Sequence, residues 1–323
     1  MGIVNDALNA IQNWFKGVIA DGIAGSLQNT CDTLNNTFNP NNQGIMKSLL
    51  SDTPDKFTGT ADSSSIPIWN GIETITNQAI VPIAVFILVV VIVYDLIQMV
   101  VSNNNFRDFD TSIFFRWMIK AVCGILLVSN VFYITTAVFG FGSTAVTSGL
   151  NALFPSGGED FLQSVKFNAQ SMSAELQNKL DIGALLPLLF LSFLIMIVTF
   201  FVLGAIIIVL ASRMIEVFMY LAISPIPMAT MMNNDWGQIG KNWLRNILAL
   251  AFQGFFIVTA LTIFKVLLTN VIVQMQNMMQ LPDSSSASAQ VTGSMAIMLG
   301  YVIALIFTIF RSSSISKSAF AAQ

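Results

Sequence analysis

No histidine occurs anywhere in the chain. That removes the commonest general base near neutral pH and the commonest metal ligand. Charge is scarce as well. Only 10% of residues are Asp, Glu, Lys or Arg, against about 25% in ordinary soluble domains. The net charge of −3 supplies no basic field for nucleic acid or anionic lipid. Cys31 and Cys123 are too few for a disulfide framework or a zinc site. One lies in a polar segment and the other in an apolar one, so no pairing is expected. There is no Walker-type phosphate loop and no zinc-protease motif, which argues against nucleotide hydrolysis and metalloproteolysis. A Ser-His-Asp triad is excluded by composition. Serine and lysine are both present, but no lysine lies deep in an apolar run beside an obvious serine nucleophile. We expect no enzyme and no cofactor. The amino terminus lacks the basic, apolar and small-residue order of a cleaved signal peptide, so the first span is expected to act as the insertion signal.

What the chain has instead is apolar length. Hydrophobic residues make up 54% of it. Five stretches, at about 79–101, 114–141, 184–210, 247–273 and 291–310, each approach the roughly 20 residues that cross a hydrocarbon core as a helix. The expected fold is all-α: a polytopic membrane protein with about five transmembrane helices over residues 78–323. An amphipathic helix is expected within an N-terminal segment, 1–77. Over residues 3–27, Val4, Leu8, Ile11, Phe15, Val18, Ile19, Ile23 and Leu27 recur at three- and four-residue spacing between Asn5, Asp6, Asn9, Asn13 and Lys16. Such a helix suits the membrane interface, a partner, or the chain's own bundle. An irregular polar connector follows from Cys31 to Ser65. The second span is expected to end at Gly140 and Gly142, before a polar loop over 143–182. There Phe161, Leu162, Val165, Met172, Leu176 and Leu180 line one face of a surface helix. A Ser-rich turn, Ser284 to Ser288, is expected before the last span.

From Ile182 to Met232 the only charges are Arg213 and Glu216. A helix over 184–210 already fills a bilayer at about 1.5 Å per residue. Ser224, Pro225 and Pro227 then interrupt the apolar run, so a buried, broken or re-entrant segment is expected after the third span, in preference to a sixth span. Arg213 and Glu216, three residues apart, are expected to share a helix face and can pair, either fixing this corner or serving gating or subunit contact. Asp95 is expected at the depth of Arg116 and Lys120 across a tight hairpin, as a structural ion pair. Lys265 should snorkel to an interface.

With five spans, Arg107, Arg116 and Lys120, then Arg213, Lys241 and Arg245, then Arg311 and Lys317 all fall on one side. The positive-inside rule puts that side in the cytoplasm. The expected layout is a multi-pass membrane protein, amino terminus outside, carboxyl terminus in the cytoplasm, and a cytoplasmic region at 213–245. Composition alone leaves two functional classes open, a scaffold or channel subunit of a larger assembly and a stand-alone channel or transporter.

One region carries a resemblance. It starts at Ala211-Ser-Arg-Met-Ile-Glu-Val-Phe-Met-Tyr-Leu-Ala-Ile-Ser-Pro-Ile-Pro-Met and resumes at Asp235-Trp-Gly-Gln-Ile-Gly-Lys-Asn-Trp-Leu-Arg. An arginine closing a long span, an apolar stretch ending in proline, a short polar loop with tryptophan and a new span resemble the VirB6/TrbL family of polytopic inner-membrane components of conjugative type IV secretion systems. The resemblance implies a homo-oligomeric ring, a pentamer by analogy, at the base of the translocation channel or pilus. It also implies contact with pilin, the minor pilus subunit, transfer ATPases and membrane lipid, and it allows contact with transferred single-stranded DNA. Arg213, Pro225 and Trp236 carry over as structural or assembly residues.

Overall fold

Every regular element among the described residues is a helix. Apolar runs far longer than a strand call for this, because a backbone in lipid must satisfy its own hydrogen bonds. The computed structural model describes residues 2–38, 45–57, 68–102, 111–153, 162, 168–278 and 284–322. In chain order the helices are α1 (Gly2–Phe38), α2 (Ile45–Ser51), α3 (Ile68–Ile75), α4 (Val81–Ser102), α5 (Thr111–Ser129), α6 (Val131–Leu153), α7 (Ala169–Lys179), α8 (Ile182–Ala222), α9 (Pro225–Thr230), α10 (Gly237–Met278) and α11 (Ser284–Ala319). A π-helical turn, Thr76–Ile80, joins α3 to α4. Among the described residues, five helical stretches are long and apolar enough to cross a membrane: Ile68–Val101, Val131–Ala152, Ile182–Ala222, Gly237–Asn277 and Ser288–Ala319. The protein is an all-α polytopic membrane protein.

Several boundaries differ from those the sequence suggests. α1 continues through the polar residues after Leu27, and there Thr30, Thr33 and Thr37 each satisfy a hydroxyl by donating to the carbonyl four residues earlier. The span expected at 114–141 is divided at Asn130 into α5 and α6. The division is slight. Asn130 N bonds Leu126 O and Ile134 N bonds Asn130 O, each at 3.1 Å, so the helical ladder runs on. α6 then passes through Gly140 and Gly142 and takes in the start of the expected 143–182 loop. Ser284 to Ser288 form the first turn of α11. Asn103 to Asn105, Arg107, Phe161 and Val165 lie outside the described residues.

The chain divides into two compact units. The first holds Met1–Met46, Gly149–Val209 and Ile257–Arg311. In it α7 starts at Asn168, whose side chain accepts from Gln170 N and Ser171 N, an N-cap worth about 1 kcal/mol. α7 packs along α1 and buries Met172 and Leu176, and in the second half of α1 Ile23, Leu27 and Leu34 are fully buried. Each such side chain contributes roughly 1.5–3 kcal/mol. Asp21 accepts from the Ser173 hydroxyl, and Lys16 Nζ reaches Asp181 at 3.1 Å. The second unit holds Lys47–Ser148, Leu210–Phe256 and Ser312–Gln323. Its core joins Ala84 and Leu88, Val128 and Val131, Val217, Met228, Trp243 and Ile247.

Candidate functional site: the Arg213 anchor

Arg213 lies in α8 with only 5% of its surface exposed. A buried guanidinium needs acceptors, and here all those seen are backbone carbonyls. Nε donates to Leu250 O at 3.0 Å, Nη1 to Leu49 O at 3.2 Å and Nη2 to Ala251 O at 3.4 Å. Leu250 and Ala251 belong to α10. Leu49 lies near the end of α2, where carbonyls lack helical partners and the helix dipole is negative. A planar fork presents several donors at fixed, separated positions and can hold two helices at once, where an ammonium offers its three donors from a single point.

Small residues make this approach feasible. A Cβ on Gly254 would lie 3.1 Å from Arg213 Nη1 and 3.2 Å from Leu50 O. A Cβ on Gly142 would collide with the Ala251 carbonyl. The Ser143 hydroxyl donates to Ser51 O at 2.5 Å, capping the end of α2. Past that end, Phe57 is buried with its ring 6.1 Å from that of Phe218. α2 and its continuation to Phe57 are therefore pinned across α6, α8 and α10.

Glu216 does not pair with Arg213. It accepts from Lys317 Nζ of α11 at 3.1 Å, and both side chains are about one-third exposed. The carbonyls draw Arg213 inward, while Glu216 faces α11, so the shared helix face does not become a shared partner. The corner expected at Arg213 is also displaced. α8 runs unbroken to Ala222, and the chain turns at Ile223 and Ser224. There Pro225 has no N–H to continue the helical ladder, and Ser224, itself in the right-handed helical region, tightens the last turn by donating its N–H to Leu221 O at 3.1 Å. Pro225 and Pro227 are buried in α9, and a Cβ on Gly240 would collide with Pro227 O.

A polar loop follows. The Asn233 side-chain carbonyl accepts from Asp235 N at 2.8 Å and Trp236 N at 3.1 Å. Asp235 accepts from Gln98 Nε2 at 2.6 Å, and Trp236 stacks on Tyr94 with centroids 5.8 Å apart. This ties α4 to the turn before α10. Nearby, Asp95 lies 3.5 Å from Lys120 Nζ. Arg116 is exposed and makes no ion pair among the described residues. Sequence reasoning missed the α2 carbonyls, Ser143, Gly142, Gly254, Asn233 and Gln98. Of these only Gly142 stands out in the sequence, where it suggests the end of a span.

The profile of the TrbL/VirB6 plasmid conjugal transfer-like proteins matches residues 42–225, more than half of the chain. The chain belongs to the TrbL/VirB6 family. It is thus a conjugal transfer or type IV secretion component, and the family is one of structural transfer-system parts rather than enzymes. No curated protein and no solved structure matches the chain. The TrbL/VirB6 match begins just before α2 and ends at Pro225, so it takes in Leu49, Asp95, Arg116, Lys120, Arg213 and Glu216. Pro227 and Trp236 lie beyond it.

The contacts also bring the two segments of the expected layout together. The charge pattern predicts residues 1–77 outside and 213–245 in the cytoplasm. Leu49 nevertheless accepts from Arg213, and Thr76 Oγ1 donates to Ala222 O at 3.2 Å. Residues 47–57 are packed inside the second unit. Hydrophobicity could not foresee this, because α2 docks through its backbone carbonyls.

Proposed function

We propose that this protein is a membrane scaffold or channel subunit of a conjugative type IV secretion machine. In this reading identical copies form a ring at the base of the translocation channel or pilus, with five copies by analogy. The family match over residues 42–225 carries the reading. The Arg213 anchor fits it, since fixed helices joined through a buried fork suit a part that holds others in place. The chain lies in the bacterial cytoplasmic membrane. Lys241, Arg245 and Lys317 favour a cytoplasmic carboxyl terminus, and the amino terminus is outside. Pilin, the minor pilus subunit and the transfer ATPases are the expected partners, with lipid around the spans. Single-stranded DNA ranks last, because a net charge of −3 offers no general backbone-binding field.

The test is mild cross-linking of the tagged protein in its native host, followed by purification and identification of what comes with it. Secretion ATPases and pilus components, together with a ladder of self-linked copies, are expected. Recovery of this chain alone would favour an autonomous channel or transporter.

A further inference from the structure

α1 carries two apolar faces. From Ile19 onward its buried residues, among them Ile23, Leu27, Cys31 and Leu34, face α7 and the rest of the first unit. Before that point Val4, Leu8, Ile11, Phe15 and Val18 are 65%, 53%, 61%, 47% and 52% exposed. At about 100° per residue the two faces point roughly 140° apart around one continuous helix. The side of the first half nearest α7 is polar: Gln177 donates to Asn13 O, and Lys16 reaches Asp181. The outer face therefore cannot be covered by α7 without unwinding α1. A helix this exposed draws little support from its own chain, because most helical stability in proteins comes from packing an apolar face.

The spacing indicates what covers it. Val4, Leu8, Ile11, Phe15 and Val18 follow one another at intervals of four, three, four and three, the a/d seam of a coiled coil. The flanking e and g positions hold Asn5, Gln12, Ala7 and Trp14, all uncharged. Identical helices in register meet no like charge along such a seam, whereas pairing with a different partner is commonly written in complementary e/g charges. A headgroup-bound helix carries lysine and arginine on its polar face. Here that face holds Asn5, Asn9, Asn13 and Asp6, and Lys16 is engaged by Asp181.

We infer that residues 4–18 are a self-association element, in which this seam packs against the same seam of neighbouring copies as a parallel helical bundle. The inference rests on the oligomeric ring proposed above and names the surface that joins its members. Copies related by rotation about an axis that runs along the helix are parallel.

The test uses full-length protein in nanodiscs on a Cys31→Ser, Cys123→Ser background, with single substitutions Leu8→Cys on the seam and Asn9→Cys on the opposite face. Mild oxidation should link Leu8→Cys copies several-fold more than Asn9→Cys copies, since a disulfide needs Cβ atoms about 3.8 Å apart. Native mass spectrometry of the same samples reports copy number. Equal cross-linking at both positions in an intact oligomer overturns the inference and leaves the ring reading standing. A monomer overturns both. Quenching of a fluorophore at position 8 by lipid-borne quencher, without seam cross-links, assigns the face to the bilayer and also overturns the inference.

Discussion

At Arg213 a single side chain holds carbonyls from two helices, so its substitutions should separate charge from geometry. Arg213→Ala leaves the Leu49 carbonyl without its partner, at a cost of about 1–3 kcal/mol. Thermal unfolding in detergent should fall accordingly. Arg213→Lys should recover only part of the loss, because Leu250 and Leu49 are met by two different nitrogens of the guanidinium, and a single ammonium nitrogen does not reproduce that spacing. Glycines offer a second contrast. Gly142→Ala meets the Ala251 backbone and should cost about 1–3 kcal/mol. Gly204→Ala has open space around it and should be neutral or gain up to about 1 kcal/mol of helix propensity. A third prediction concerns Cys31. Burial, and after it the charge of Asp32, pushes its thiol up to about 12. The thiolate is then absent through the neutral range, and Cys31 should resist alkylation at pH 8 in the folded protein but react after denaturation, as read by mass. The raised value has a stability consequence of definite sign. The contribution is complete below the unfolded thiol's pKa of about 8.5 and is lost as pH rises toward 12.

Elements were legible in the sequence to the extent that they follow from apolar length. The spanning helices and the break near the two prolines follow from uninterrupted hydrophobicity and from the missing N–H of Pro225. The docking of α2 does not, because its partners are the carbonyls of Leu49 and Ser51, which every residue type possesses. The continuation of α6 past Gly142 was hidden for a related reason. The same glycine that can end a helix also admits a neighbouring backbone, and here Ala251 is that neighbour. Nor could three-residue spacing decide between Leu250 and Glu216 as a partner for Arg213. The docking makes a prediction at this scale. Amides of α2 should be as protected from hydrogen exchange as those of α10 near Leu250. Arg213→Ala should release α2 while leaving the pairing of α4 and α5, through Asp95 and Lys120, protected. Loss of protection across both would show that Arg213 supports the whole unit rather than this one helix.

For the whole molecule the decisive quantity is sidedness. A cysteine replacing Ser318 should remain unlabelled by a membrane-impermeant reagent in intact cells and become labelled once they are opened. A cysteine replacing Asn9 should be labelled throughout. Labelling of position 318 in intact cells would reverse the orientation or add a sixth crossing. The arginine anchor also bears on how the protein is made. Leu49 leaves the ribosome long before Arg213, and Leu250 and Ala251 leave it after. While α8 is being inserted, its guanidinium has one of the three native acceptors already synthesised and waits for the other two. Biogenesis of α8 is thus tied to the arrival of α10. A ribosome paused between them holds an intermediate with an under-coordinated charge, the stage at which a translocon or chaperone has most to shield.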